Sequence, residues 1–458
     1  MSIDLALRLF PKPGSNFGSV VLVVFEDNVL LFSDKHCSFR GDKPSDVAWR
    51  RWYTAAVLDS AGQLYGAERW LTNFPDRVFV DRACNHKLPI SFPSIPTFHR
   101  ILTCRGASQI SRNIWGGTGS LFATNAPLRR CIDEPFRLGA FDERGRMYHV
   151  FEEVALDAVL RSLDTVSDFC EYLRKREAFF RRDAEIVAAG EDELLGFYLW
   201  GHREGVRGHD FIVDHPATHI VIDESFWADW QRSAQRRAKE KADQVSYAWD
   251  RLIEKFSHHM RAGTLERLVT PVGDVSELER SVRWMAREPR FMRRMLAHAL
   301  IEVMENTSPG QLRRRLVPPV DQGDPYWVFL VLPRKATVGY AEYREFRQRF
   351  LIAHCLVVKY LYPDAQDILA LAVEPPNAEM SEDIVYFDAR EWNDDLNERA
   401  RRLHEEGRIF ETRQQTTSTA WEYPIGAPSA PRPNRRDKRT YRKMKRKEQR
   451  NQRKKNRR

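Results

Sequence analysis

The sequence predicts an α/β (α+β) protein of several domains, and three observations carry that prediction. The stretch Val20–Lys35, VVLVVFEDNVLLFSDK, holds two apolar runs joined by a polar turn. Long segments with apolar residues at helical spacing follow it. From about residue 324 the pattern changes to a β-α-β-β-α order. At 458 residues the chain is too long for one ordinary hydrophobic core. The expected division is an α/β domain over 1–151, a helical region over 152–310, a small α/β unit over 324–411, a linker over 412–431 and a polybasic tail over 432–458.

The hairpin comes first. Val20–Phe25 and Val29–Phe32 are β-branched and apolar on both faces, and Glu26-Asp27-Asn28 supplies the turn. Strands of that kind belong inside a sheet with both faces covered. The second strand ends in Ser33-Asp34-Lys35, polar groups at the tip of a buried strand. Asp46–Leu71 reads as one long amphipathic helix, with a kink expected at Gly62 and Gly66. Phe98–Cys104 is a strand leading into a short helix at Arg105-Gly106-Ala107 and then the loop Gly116-Gly117-Thr118-Gly119-Ser120. Phe136–Leu138 and Met147–Phe151 suggest a second hairpin around Asp142–Gly145.

Helices are expected over 152–163, over 165–181 behind a Thr165 cap with Asp168 three residues on, and over 192–199. Phe211–Asp214 and His219–Ile222 are short strand candidates. Gln231–His259 reads as one long helix, and Pro289 should break the next, which a Ser276–Glu279 capping box opens. Tyr326–Leu332, Ile368–Val373 and Ile384–Phe387 are strands, and Tyr340–Leu361 and Glu391–Glu406 are helices. Tyr343, Phe346, Phe350, Ile352 and Leu356 are expected on the inner face of the first of these helices.

Composition narrows the function classes. No apolar run approaches the length of a membrane span, and the first residues, MSIDLALRLFPKPG, lack the features of a secretory signal. Six widely spaced cysteines without a CxxC imply reduced, mostly buried thiols, so a cytoplasmic protein is expected. The charge is unevenly spread. Residues 432–458 hold sixteen Lys or Arg against Asp437 and Glu448, a net +14, which leaves −5 for the rest of a chain whose total is +9. Such a tail displaces counterions from nucleic acid in a salt-dependent, sequence-blind way. Arg435, Arg436, Lys438, Arg439, Arg442, Lys443, Lys445, Arg446 and Lys447 form its densest part, and Tyr441 is its sole aromatic. It lacks the apolar anchors of a membrane-surface helix.

Three other motifs bear on function. The GGTGS loop has backbone N–H groups that can wrap a phosphate, but no Lys follows as in a P-loop, and a tight strand-entry loop is the expectation. His209, His215 and His219, with Asp210, Asp214, Asp223 and Glu224 among them, can offer zinc ligands but match no standard spacing, so a solvated loop is expected. No nucleophile elbow for a Ser-His-Asp triad is present.

The hairpin with its terminal Ser33-Asp34-Lys35 resembles that of the PD-(D/E)XK, restriction-endonuclease-like superfamily. Together with GAERWL (66–71), GGTGSLF (116–122) and LDTVSDFCEYL (163–173), it is similar to a family of uncharacterised bacterial proteins associated with that superfamily. The resemblance implies a restriction-endonuclease-like N-terminal domain and, in an active member, Mg²⁺-dependent phosphodiester hydrolysis. It implies Lys35 as the lysine of the motif, with Asp34 and Glu68 as carboxylates for the metal and Gln63 one turn before Glu68. This sequence departs from the pattern. The metal-binding Asp should fall near Ser19 or Val20, and the acidic member of acidic-x-Lys falls at Ser33. The first expectation is therefore a nucleic-acid-associated protein, binding RNA or DNA through its tail, whose nuclease-like core has lost its metal ligands. The alternatives are an active Mg²⁺-dependent nuclease and a protein-interaction scaffold.

Overall fold

The computed structural model describes residues 6–9, 20–40, 45–79, 87, 92–203, 207–213, 216–261, 275–308, 310–335, 337–375, 381–411 and 420–428. The chain is a mixed α/β protein with three mixed sheets among these residues. Its packing divides into two units, one formed by the described residues up to 239 together with 421–428, the other by those from 240 to 420.

In chain order the first unit holds β1 (Ala6–Leu9), β2 (Val20–Phe25), β3 (Asn28–His36), α1 (Ser45–Tyr53), α2 (Asp59–Asn73), β4 (Thr97–Arg105), α3 (Ser108–Trp115), β5 (Phe122–Thr124), β6 (Arg137–Leu138), β7 (His149–Glu152), α4 (Glu153–Ser162), α5 (Val166–Phe180), β8 (Glu185–Ala188), α6 (Glu191–Trp200), β9 (His219–Ile222) and α7 (Phe226–Arg232). Helix α8 (Ala234–Asp243) crosses the boundary between the units.

The predicted hairpin is present. β2 and β3 pair antiparallel with Val20 opposite Ser33 and Phe25 opposite Asn28, and Glu26 adopts a left-handed φ of 51° in the two-residue turn. They sit inside the sheet β1-β2-β3-β4-β7, in which β3, β4 and β7 run parallel. Side-chain alternation then separates two cores. Leu22, Val29, Leu31, Leu102 and Val150 pack with Trp49, Trp52, Tyr53 and Leu64 of the first helices. Leu30, Ile101 and Phe151 pack on the other face with Val159, Tyr172, Leu173 and Phe179.

The long helix expected over 46–71 is interrupted, though not at its glycines. Thr54–Leu58 forms a π-helical segment between α1 and α2. Buried aromatics fix the register of α1, because Trp49 Nε1 donates to Cys131 O at 2.9 Å and Tyr53 Oη to Leu128 O at 2.9 Å. The hairpin expected around Asp142–Gly145 is only partly formed. The turn exists, with Gly145 N donating to Asp142 O, but β6 pairs with β5 while β7 joins the first sheet beside β4. No helix forms at Arg105-Gly106-Ala107: Arg105 ends β4 and the next two residues bend the chain into α3. The second sheet, β6-β5-β8-β9, ties residues on both sides of position 151 into one unit through the pair Ala123–Ala188.

The second unit holds α9 (Tyr247–Arg261), α10 (Val275–Arg287), α11 (Arg290–Glu305), β10 (Arg313–Val317), β11 (Tyr326–Val331), α12 (Tyr340–Leu361), β12 (Asp367–Val373), β13 (Glu382–Asp388) and α13 (Asp394–Glu405). The helix expected over 231–259 is thus three helices. Ser233 is extended at ψ 146°, which ends α7, and a 3-10 turn at Gln244–Ser246 precedes α9. Pro289 breaks the chain between α10 and α11. The third sheet is β10-β11-β12-β13, with β11 and β12 parallel. Strand β10 escaped the sequence reading because RRRLV carries three arginines. Phe346 of α12, expected inside, is exposed, whereas Arg344 and Arg347 are buried as ion pairs with Asp383. Five cysteines, Cys37, Cys104, Cys131, Cys170 and Cys355, are free thiols, and Cys84 lies outside the described residues. Among the described residues no helix is long and apolar enough to cross a membrane.

Candidate functional site

The parallel strands β3, β4 and β7 end on the same side of the first sheet, and open sheets collect ligand-binding groups at their strands' carboxyl ends. That edge holds Asp34 and Lys35 from β3, Arg105 from β4 and Glu152 from β7. The expected catalytic and metal residues, Asp34, Lys35, Gln63 and Glu68, are all here or on α2, and the structure sorts them by face.

Ser33 and Lys35 point toward the helices. Ser33 Oγ donates to Gln63 Oε1 at 3.2 Å, so strand and helix do bring these two together. Lys35 Nζ donates to Ala55 O at 3.4 Å, a carbonyl of the π-helical segment. Asp34 points the other way, as alternation requires. It accepts from Thr103 Oγ1 at 2.7 Å and faces Arg105 Nε at 3.5 Å. Glu68 is engaged by a guanidinium fork. Arg100 Nε and Nη2 each lie 2.5 Å from one of its oxygens.

A Mg²⁺ site needs carboxylate oxygens converging at roughly 2.0–2.1 Å on one ion. Both oxygens of Glu68 accept from Arg100, Asp34 lies on the opposite face of β3 from Lys35, and of the positions expected to be acidic Val20 and Ser33 stand directly opposite each other while Ser19 lies outside the described residues. As arranged, these residues do not fit such an ion.

The sequence reading missed a second group, centred on Glu152. This side chain is buried and caps α4, accepting from Val154 N at 2.7 Å and Ala155 N at 2.8 Å. It also accepts from Ser108 Oγ at 2.7 Å and Ser120 Oγ at 2.9 Å. Ser120 Oγ in turn accepts from Glu191 N at 3.2 Å, and Thr118 Oγ1 donates to Asp192 Oδ2 at 2.7 Å. The GGTGS loop is therefore stitched between two buried carboxylates and enters β5. Gly119 has φ 94°, and a Cβ there would lie 2.7 Å from Ser108 O. Carboxylates at both ends make the loop a poor phosphate cradle. Burial without a cation pushes the Glu152 carboxyl up to about 7, against its hydrogen bonds from Ser108, Val154, Ser120 and Ala155. Burial likewise raises Asp192, and pushes Glu193, which accepts from Trp227 N, up to about 7. The sequence signal for this group was faint, since Ser108, Ser120, Glu152 and Asp192 are far apart along the chain.

The three histidines expected as a loop group separate. His219 is exposed beside Glu185, His215 and Asp214 lie outside the described residues, and His209 is buried. His209 instead meets His202 and Glu422. Among the described residues these three form the one set of His, Cys, Asp or Glu side chains whose ligand atoms all lie within 4.8 Å of one another. Glu422 and the buried Tyr423 come from the span expected as a linker, and Tyr423 packs into the core of the first unit. The nine basic residues from Arg435 to Lys447 lie outside the described residues. The chain matches no family model, no curated protein and no solved structure.

Proposed function

We propose that the chain is a nucleic-acid-associated protein that holds RNA or DNA through residues 432–458, and that its N-terminal domain is a restriction-endonuclease-like fold without nuclease activity. The observation that carries this reading is the separation of charge, +14 in the tail against −5 elsewhere. A cation density of that kind is spent on a polyanion or repelled into solvent. The second half of the reading is supported by Val20 opposite Ser33 and by the Arg100 fork on Glu68. Lys35 remains where the motif would have it, but its ammonium donates to the carbonyl of Ala55.

The test compares the full chain with a variant ending at residue 431, by anisotropy with labelled single- and double-stranded RNA and DNA. The full chain should bind with little sequence preference. It should lose about 10³-fold or more in affinity between 50 and 200 mM salt if six or more phosphates are neutralised. The truncated variant should lose that salt-sensitive binding, and unchanged binding would overturn the reading. Incubation of the same substrates with Mg²⁺ or Mn²⁺ should leave them intact. Cleavage that Lys35→Ala removes would show instead that the core is an active nuclease.

A further inference from the structure

The corner formed by His202, His209 and Glu422 has the composition of a metal centre. His202 and His209 face each other across an antiparallel bridge, with ring centroids 5.5 Å apart. Gly201 makes that approach possible. Asp210 N donates to Gly201 O at 3.1 Å, and a Cβ at position 201 would lie 1.7 Å from Asp210 O. Cross-strand neighbours on one face are a natural chelating pair. The third group arrives from more than two hundred positions along the chain. Glu422 Oε1 is 3.7 Å from His209 Nε2, and its Oε2 is 3.8 Å from His202 Nδ1.

We propose that these three side chains bind a divalent transition metal, and that the ion fastens residues 421–428 within the first unit. Donor atoms on one tetrahedral ion sit about 3.3 Å apart for bonds near 2.0 Å. One ligand atom from each of the three lies within 4.8 Å of the others, so the ion would draw them together. Two imidazole nitrogens and one carboxylate suit Zn²⁺, Co²⁺, Ni²⁺ or Fe²⁺ and not the oxygen-rich preferences of Mg²⁺ or Ca²⁺.

The surroundings fit that assignment. His202 Nδ1, the ring nitrogen 3.8 Å from Glu422 Oε2, also lies 2.9 Å from Gly208 O, so the metal-free protein holds the proton there and the ion takes His202 either at Nε2 or in place of that proton. His209 is buried. Its Nε2 is 2.6 Å from Tyr423 Oη, and the Tyr423 ring packs edge-on to His202 at 4.9 Å. The hydroxyl thus holds the nitrogen that an ion would take, and binding moves it out to the roughly 3.3 Å spacing of a fourth ligand. Lys239 Nζ is 3.7 Å from Glu422 Oε1. In the metal-free protein it offsets the carboxylate charge, and with the ion on Oε2 it remains the outer partner of Oε1.

The full chain, stripped with a chelator and dialysed, is titrated with Zn²⁺ and with Co²⁺ by calorimetry and visible absorption. One equivalent should bind at micromolar affinity or tighter, the Co²⁺ spectrum should be that of a four-coordinate N/O site, and Zn²⁺ should raise the thermal midpoint. Glu422→Gln and His202→Gln, both at partly exposed positions, should each weaken binding at least tenfold while circular dichroism stays native. No stoichiometric binding would overturn the proposal and leave an ordinary histidine–carboxylate–lysine contact. So would binding that both variants retain, or a thiolate charge-transfer band showing that a cysteine holds the ion.

Discussion

Glu68 of α2 and Glu152 of β7 are both carboxylates at the first sheet, and they are compensated in opposite ways. Glu68 meets a fixed guanidinium, with Arg100 in bidentate contact. Among the described residues Glu152 meets hydroxyls and backbone N–H groups, and burial raises its carboxyl to about 7. A carboxylate clasped by an arginine has both oxygens committed to a fixed cation, which an incoming ion would have to displace or oppose. One held by neutral donors keeps its place in the core yet exchanges a proton near neutrality. Position in a motif thus says little about availability, which is set by what the opposing side chain offers.

The sharpest way to break this comparison is Arg100→Met. Removing the cation leaves Glu68 mostly buried and unpaired, so chemical denaturation should show a loss of roughly 3 kcal/mol. The double variant Arg100→Met with Glu68→Leu should recover much of it. A loss under about 0.5 kcal/mol in the single variant would mean that the pair is solvated and Glu68 is available after all.

The next effect is one of pH. The Glu152 carboxyl has its folded pKa raised from 4.5 to about 7. Below 4.5 both folded and unfolded states hold the proton. As pH rises from 4.5 toward 7 the unfolded state releases it first, so this group's contribution to stability falls across that window and levels off above it. Glu193 acts in the same direction, while the buried His99 and His209, each lowered to about 4, act in the opposite one as pH falls below their ordinary value. The readout is therefore a difference. Relative to the unsubstituted protein, Glu152→Gln should gain stability steadily between pH 4.5 and 7 in urea unfolding. A pH-independent difference would show that Glu152 is charged throughout.

The smallest effect belongs to Lys35→Met. Its bond to Ala55 O is long at 3.4 Å and only partly buried, so denaturation should shift by about 0.5 kcal/mol or less. Nucleic-acid affinity should not change. A large destabilisation would show that the lysine holds the π-helical segment in place.

Much of the fold was legible because it rests on local patterns. The β2–β3 hairpin, the Thr165 cap, helix α12 and the break at Pro289 each follow from a few neighbouring residues. Elements set by distant partners were missed or misplaced. β10 carries arginines and was passed over, the long helix at 231–259 is three, and strands on either side of Asp142–Gly145 join different sheets. Among site residues, the sequence put Asp34, Lys35, Gln63 and Glu68 in one neighbourhood, and strand alternation alone separated Asp34 from Lys35.

The sequence by itself determined the charge separation between body and tail, the apolar hairpin and the identity of the residues at Val20 and Ser33. These are properties of composition and short-range period, which no packing can alter. Only the tertiary structure decided that Arg100 neutralises Glu68, that Glu152 carries no cation, and that Glu422 returns across the chain to His202 and His209. Each of those depends on which side chains are brought together from afar, and the energy of a charge is fixed by its nearest neighbours and its access to water.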